Sequence, residues 1–273
     1  MKCFLNIDRL EIAFLPTTEK AREILSNGLN YYGEMFAITI ASSTTDNALY
    51  YNITLSNGMH FGEIVFGNKK FNKDKIYINI SNEILYTSYL YIVNEVAAIL
   101  DLEIHTISRL DLAFDTNKNV IEKFYSILRN NEYDLKILNK IYGMNDEIGT
   151  LLHVSSGTRN NVRKNKSFYI KNIEGGLTLH CYNKSKEIED NGNKKQYIKD
   201  VVNSNKIYRL EIRLEHFILN DTLKKIGYTD SYLYTILLNR DNAELFFLYQ
   251  TLLDRIIEVK HKRKSISFLE FIN

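Results

Sequence analysis

The sequence predicts an α+β protein in which an antiparallel-sheet-plus-helix unit occurs twice, with helices at the C-terminal end. Three observations carry this. Short runs of alternating apolar residues recur along the chain with helical stretches between them. The run Ile7-Asp8-Arg9-Leu10-Glu11-Ile12-Ala13-Phe14-Leu15 is echoed by Ile107-Ser108-Arg109-Leu110-Asp111-Leu112-Ala113-Phe114-Asp115. Lys75-Ile76-Tyr77 is echoed, in the same order, by Lys206-Ile207-Tyr208. Ordered self-similarity of this kind marks an internally duplicated, pseudo-symmetric unit; the alternative is chance similarity between amphipathic strands. The expected boundaries are 1–104 for the first unit, 105–225 for the second and 226–273 for a helical segment.

In the first unit, residues 5–15 alternate as a strand and Pro16 stops it. Thr18 then offers a cap for a short helix. Strands follow at Phe36–Ser42, Tyr50–Leu55, Phe61–Phe66 and Lys75–Ile80, with Asn57-Gly58 as a hairpin turn. Residues 82–100 have apolar spacing suited to one helix. The second unit repeats the order: a strand to Asp115, a helix over about 117–130, and strands at Thr150–Ser155, Ser167–Lys171 and Gly176–Asn183. A charged helical stretch (about 185–203) and the strand Lys206–Glu215 complete it. Two helices, Tyr232–Leu238 and Ala243–Val259, close the chain, and the basic run Lys260–Lys264 reads as a solvated helix end or a phosphate contact.

Composition bounds the possibilities. The 273 residues are 45% hydrophobic and 25% charged, ordinary for a globular protein with a sizeable core. A net charge of +2 requires any nucleic-acid surface to come from local patches. One such patch is Arg159, Arg163, Lys164 and Lys166, interleaved with asparagines, suited to phosphate contact. The two cysteines, Cys3 and Cys181, form no CxxC pair, which fits a reducing cytoplasm. The N-terminal apolar run breaks too early for a signal peptide, and no run reaches the roughly 18 residues of a membrane span, so no membrane partner is expected.

The chemistry gathers around Thr178–Glu187. Read as a strand, this stretch puts His180, Tyr182 and Lys184 on one face. A phenol, unperturbed pKa about 10, becomes a competent nucleophile beside a cation; the alternative is a solvated surface strand. Arg109, Asp111 and Asp115 share a face of their strand, as do Arg209, Glu211, Arg213 and Glu215 of theirs. If those strands are neighbours, Asp111 and Glu211 converge on a hard cation, Mg²⁺ or Mn²⁺. Asp115 lies roughly 13 Å along the strand from Asp111, so it either supplements that site or caps a helix or holds a basic residue. The arginines could equally tie up the same carboxylates as structural ion pairs. His180 is a base, an added ligand or a packed side chain. The first half has Leu15 in place of Asp115, so the reactive groups collect in the second half.

Arg109-Leu110-Asp111-Leu112-Ala113-Phe114-Asp115, Tyr182-Asn183-Lys184 with Glu187, and Tyr208-Arg209-Leu210-Glu211-Ile212-Arg213-Leu214 occur in the order found in the Rep_trans family. The resemblance spans about residues 105–220. These proteins are replication initiators of rolling-circle plasmids and related nicking relaxases of conjugative elements, with an HUH-like nickase architecture. The resemblance implies that Tyr182 is the nucleophile, with Lys184 and Glu187 its catalytic companions, and that Asp111 and Glu211 lie near the metal. It implies a protein that nicks and rejoins one strand of single-stranded or hairpin origin DNA through a 5′-phosphotyrosine, acts as a homodimer and recruits a host helicase. The chain departs from the family in having His180 where an arginine is usual, Tyr208 where a tryptophan is usual, and Gly157-Thr158-Arg159 as its nearest Gly-x-Arg turn. The alternative is a DNA-binding protein of the same fold that does not nick, a repressor or architectural factor.

Overall fold

The computed structural model describes residues 3–41, 48–66, 75–130, 132–138, 140–142, 167–171, 176–262 and 264–272. The expected strand at Thr150–Ser155 and the basic residues Arg159, Arg163, Lys164 and Lys166 lie outside them. Two compact units result: Ile7–Leu110 with Leu219–Arg240, and Met1–Asn6 with Asp111–Ile218 and Asp241–Asn273. The fold is α+β, with antiparallel sheets.

The unit built on Ile7–Leu110 opens with β1 (Cys3–Pro16) and α1 (Glu19–Asn27). β2 (Tyr31–Tyr32), β3 (Phe36–Ile40), β4 (Leu49–Leu55), β5 (His60–Phe66) and β6 (Ile76–Ile80) follow. Each pairs antiparallel with its sequence neighbour, and β6 returns to β1 with Ile12 opposite Ile78. Alternation buries one face: Ile12, Ile78, Ile64, Ile53 and Ile38 are all inaccessible to solvent. Gly58, at φ +84°, makes the Asn57-Gly58 turn, and the Asn57 side chain accepts a bond from the Met59 N–H.

The single helix expected over 82–100 is shorter. Two 3₁₀ turns, Ile84–Tyr86 and Tyr89–Tyr91, precede α2 (Ile92–Ile99). Between them Thr87 is extended and its hydroxyl bonds back to the Ile84 carbonyl, a local competitor to the helical ladder. β7 (Leu102–Thr116) follows, its first nine residues belonging to this unit and the rest to the other.

In the second unit, α3 (Val120–Leu128) is capped by Asn119, whose side chain accepts the Glu122 N–H. β8 (Tyr133–Ile137), β9 (Lys140–Tyr142), β10 (Ser167–Lys171) and β11 (Leu177–Asn183) come next. Two short helices, α4 (Lys184–Asp190) and α5 (Gln196–Val202), lead to β12 (Tyr208–Glu215). The chain continues through α6 (His216–Ile226), α7 (Asp230–Asn239) and α8 (Asn242–Ile256). It ends in β13 (Ile257–His261), β14 (Lys264–Ser267) and α9 (Phe268–Ile272).

The strand order β10-β11-β12-β7 sets the functional side chains beside one another. Its inner face, with Phe168, Leu179, Cys181, Leu210 and Ile212 fully buried, packs on aromatic residues of α3 and α8. Phe124 stacks on Phe168 at 4.1 Å, Phe114 stacks on Tyr249 at 5.8 Å, and the Tyr249 hydroxyl donates to the Leu210 carbonyl. A second antiparallel sheet, β14-β13-β8-β9, corrects the expected C-terminus. The basic run is no helix end. α8 stops at Ile256, and β-branched Ile257 and Val259 alternate inward against Ile137 and Leu135.

Candidate active site on the β10-β11-β12-β7 face

The strand register assembles the site. Tyr169 lies opposite His180, His180 opposite Glu211, and Tyr182 opposite Arg209. Alternation therefore puts Tyr169, His180, Tyr182, Arg209 and Glu211 on one face, away from the packed core. The Tyr182 hydroxyl donates to Glu211 Oε2 at 2.8 Å, and the other oxygen, Oε1, accepts from Arg213 Nε at 2.6 Å.

Lys184 reaches the same phenol from a different element. β11 ends at Asn183, whose side chain caps α4 by accepting the Lys186 N–H. Lys184 is thus the first residue of a helix rather than the end of a strand. Its ammonium still turns back to 3.5 Å from the Tyr182 oxygen and is anchored by Glu187 at 2.7 Å. With 1% exposure, this lysine is a buried cation held beside a phenol.

Beneath lies a second charge pair. Arg209 donates through Nε and Nη2 to the two oxygens of Asp115, each at 2.7 Å, and both side chains are inaccessible to solvent. A bidentate buried pair of this kind is structurally committed. Asp115 accordingly holds a basic residue, as one of the sequence readings had it. Asp111 is 3% exposed and, with Glu211, acts electrostatically on Arg213. Burial lowers the Arg213 pKa, and the carboxylates of Glu211 and Asp111 outweigh it, so the net direction is upward.

His180 is sandwiched between two phenol rings, 3.7 Å from Tyr169 and 4.2 Å from Tyr182, both nearly parallel. Burial pushes its pKa down to about 4, against the pull of Glu211. The imidazole is therefore neutral at physiological pH. Its buried Nδ1 has no hydrogen-bond partner. Burial shifts the Tyr169 phenol up from its ordinary value. The sequence reading singled out neither the Tyr169–His180–Tyr182 stack nor the bond from Arg213 to Glu211; the alternation of His180 with Tyr182 and of Glu211 with Arg213 was the available signal.

The donor set tests the expected metal. Two buried carboxylates, Asp111 and Glu211, stand on neighbouring strands, with the orphaned His180 Nδ1 opposite Glu211. Among the described residues, no group of three or more His, Cys, Asp or Glu side chains is arranged to hold an ion. Two carboxylates, with both Glu211 oxygens already bonded to Tyr182 and Arg213, make no closed zinc cage; a hard cation there would have to complete its shell from water or phosphate oxygens.

Fold and site together describe an α+β protein with a carboxylate- and lysine-flanked tyrosine on an antiparallel sheet. Neither a family model nor a curated protein matches the chain. Among solved structures, it is similar to a rolling circle replication initiator protein from Geobacillus stearothermophilus. The TM-score is 0.50 at 13% sequence identity, covering 99% of this chain and 95% of that one. At that identity the likeness is one of fold.

Proposed function

We propose that this protein is a rolling-circle replication initiator that nicks and rejoins one DNA strand at an origin through a 5′-phosphotyrosine intermediate. The observation that carries the reading is the Tyr182 hydroxyl, bonded to Glu211 at 2.8 Å and 3.5 Å from the Lys184 ammonium. The fold likeness to an initiator supports it.

In the nicking step the Tyr182 oxygen forms a bond to phosphorus as the bond from phosphorus to the 3′ oxygen breaks. The phenol proton passes to Glu211 and from there, through solvent, to the departing 3′ oxygen, so the step neither gains nor loses a proton. Lys184 lowers the cost of the developing phenolate, and Glu187 keeps that lysine in place. The product keeps the phosphodiester energy in the protein–DNA link, so the reverse step rejoins the strand. Asp111 and Glu211 would hold Mg²⁺ or Mn²⁺, which when bound would polarise the phosphoryl group. The basic residues Arg159, Arg163, Lys164 and Lys166 would contact the backbone of single-stranded or hairpin origin DNA, and a host helicase and a second copy of the chain would be the protein partners.

The test is a covalent adduct on a denaturing gel. Labelled single-stranded and hairpin DNA from the encoding replicon is offered with Mn²⁺ or with EDTA. The expected result is a metal-dependent adduct mapping to Tyr182, abolished by Tyr182→Phe with DNA affinity unchanged to within about 1 kcal/mol. Binding that persists in EDTA without any adduct would instead identify a DNA-binding protein that does not nick.

A further inference from the structure

Three cations surround the Tyr182 site, and they differ in what they can still reach. Arg209 is fully buried with two of its donors on Asp115, and Lys184 is 1% exposed and paired with Glu187. Arg213 alone among these three has an open side chain, 39% exposed. A DNA phosphate arrives from solvent, and of the three cations Arg213 is the one that already faces it.

Geometry puts that cation at the right place. Residues 209, 211 and 213 of β12 share a face, and Arg213 leans along it to bond Glu211 Oε1 while Tyr182 holds Oε2. One carboxylate therefore carries the nucleophile on one oxygen and the guanidinium on the other. A phosphate attacked by the phenol would sit beside the carboxylate that Arg213 already bonds. The guanidinium has five N–H donors in a planar fork, matched to two oxygens of a phosphate.

We propose that Arg213 is the phosphate clamp of the site, binding the non-bridging oxygens of the phosphodiester presented to Tyr182. This rests on the nicking function proposed above. The competing role is that of a structural partner for Glu211 alone.

The two roles separate in binding and rate. Affinity for a single-stranded oligonucleotide from the replicon is measured in EDTA as a function of salt, for wild type, Arg213→Gln and Arg213→Lys. Arg213→Gln is expected to bind about tenfold more weakly at low salt and to lower the log–log salt slope by about 0.7, one phosphate contact. Arg213→Lys, which keeps the charge, is expected to retain the slope and recover part of the affinity. At saturating DNA with Mn²⁺, adduct formation by Arg213→Gln is expected to slow about a hundredfold, partly restored in Arg213→Lys. Thermal melting of each variant reports any purely structural effect. A salt slope and affinity for Arg213→Gln equal to wild type would overturn the clamp, even if the adduct forms. A reduced slope in a protein whose wild type forms no adduct would keep the clamp and overturn the nicking.

Discussion

β1 and β7 carry nearly the same sequence and treat it in opposite ways. In β1, Arg9 is exposed, Glu11 is half-buried with its carboxylate accepting from the Ser108 hydroxyl, and Leu15 is 37% exposed. In β7, Arg109 is half-buried, Asp111 is 3% exposed and Asp115 is inaccessible. Water can solvate the polar positions of β1. The carboxylates of β7 have left water, and a buried charge is tolerable only beside an opposite one. The difference shows why the second half of the chain needs Arg209 and the first does not: one aspartate in place of a leucine obliges a buried arginine on the next strand.

The comparison breaks most sharply at Asp115. Asp115→Ala takes the bidentate carboxylate from buried Arg209, and is expected to destabilise the protein by about 3–5 kcal/mol in urea denaturation. Leu15→Ala is expected to cost less than about 1 kcal/mol. Equal losses would mean that the two strands sit in equivalent surroundings after all. Replacing both partners, Asp115→Leu with Arg209→Met, should recover most of the loss, since an apolar pair of similar size needs no desolvation of charge.

A smaller effect is expected from His180. Its folded pKa, about 4, lies below the ordinary 6.5, so the unfolded chain takes up the proton first. Stability therefore rises with pH between about 4 and 6.5. The contribution is complete above the ordinary value and lost on acidification to about 4, on the order of 3 kcal/mol in all. His180→Phe should flatten that part of the profile in metal-free protein. An unchanged slope in His180→Phe would assign the acid sensitivity elsewhere.

The smallest concerns the helices that follow the two strands. Asn119 bonds its own helix, but Thr18, before α1, makes no such bond. Asn119→Ala is expected to cost about 1 kcal/mol and Thr18→Ala a few tenths. The reverse ranking would undo the difference between the two strand–helix junctions.

Alternation made much of this readable in advance. The strands through Tyr182 and Arg209 stand where the period-two pattern put them, and so does the Asn57-Gly58 turn, because local sterics and side-chain period dictate those features. The sheet formed by β8, β9, β13 and β14 was not legible. Its strands are short, and β13 continues an apolar helix without punctuation, so only the tertiary pairing of Val259 with Leu135 distinguishes strand from helix. The faces of Asp111, Tyr182 and Glu211 were legible too. Which oxygen holds which donor was not: the Glu211 bonds to Tyr182 and Arg213 depend on strand register, and Lys184 reaches the phenol only because Asn183 starts a helix there.

The ring stack has a mechanical consequence. Tyr182 is packed against His180, which is packed against Tyr169, and its hydroxyl is tethered to Glu211, leaving the residue 9% exposed. In the proposed nicking function, a nucleophile held on both its face and its tip would not swing out to meet a phosphodiester; the strand would have to be bent down to it. Duplex DNA, stiff over about 150 base pairs, resists so local a deflection. An unpaired strand or a hairpin loop yields to it readily, so the rigidity of one side chain would by itself select the form of DNA on which it acts.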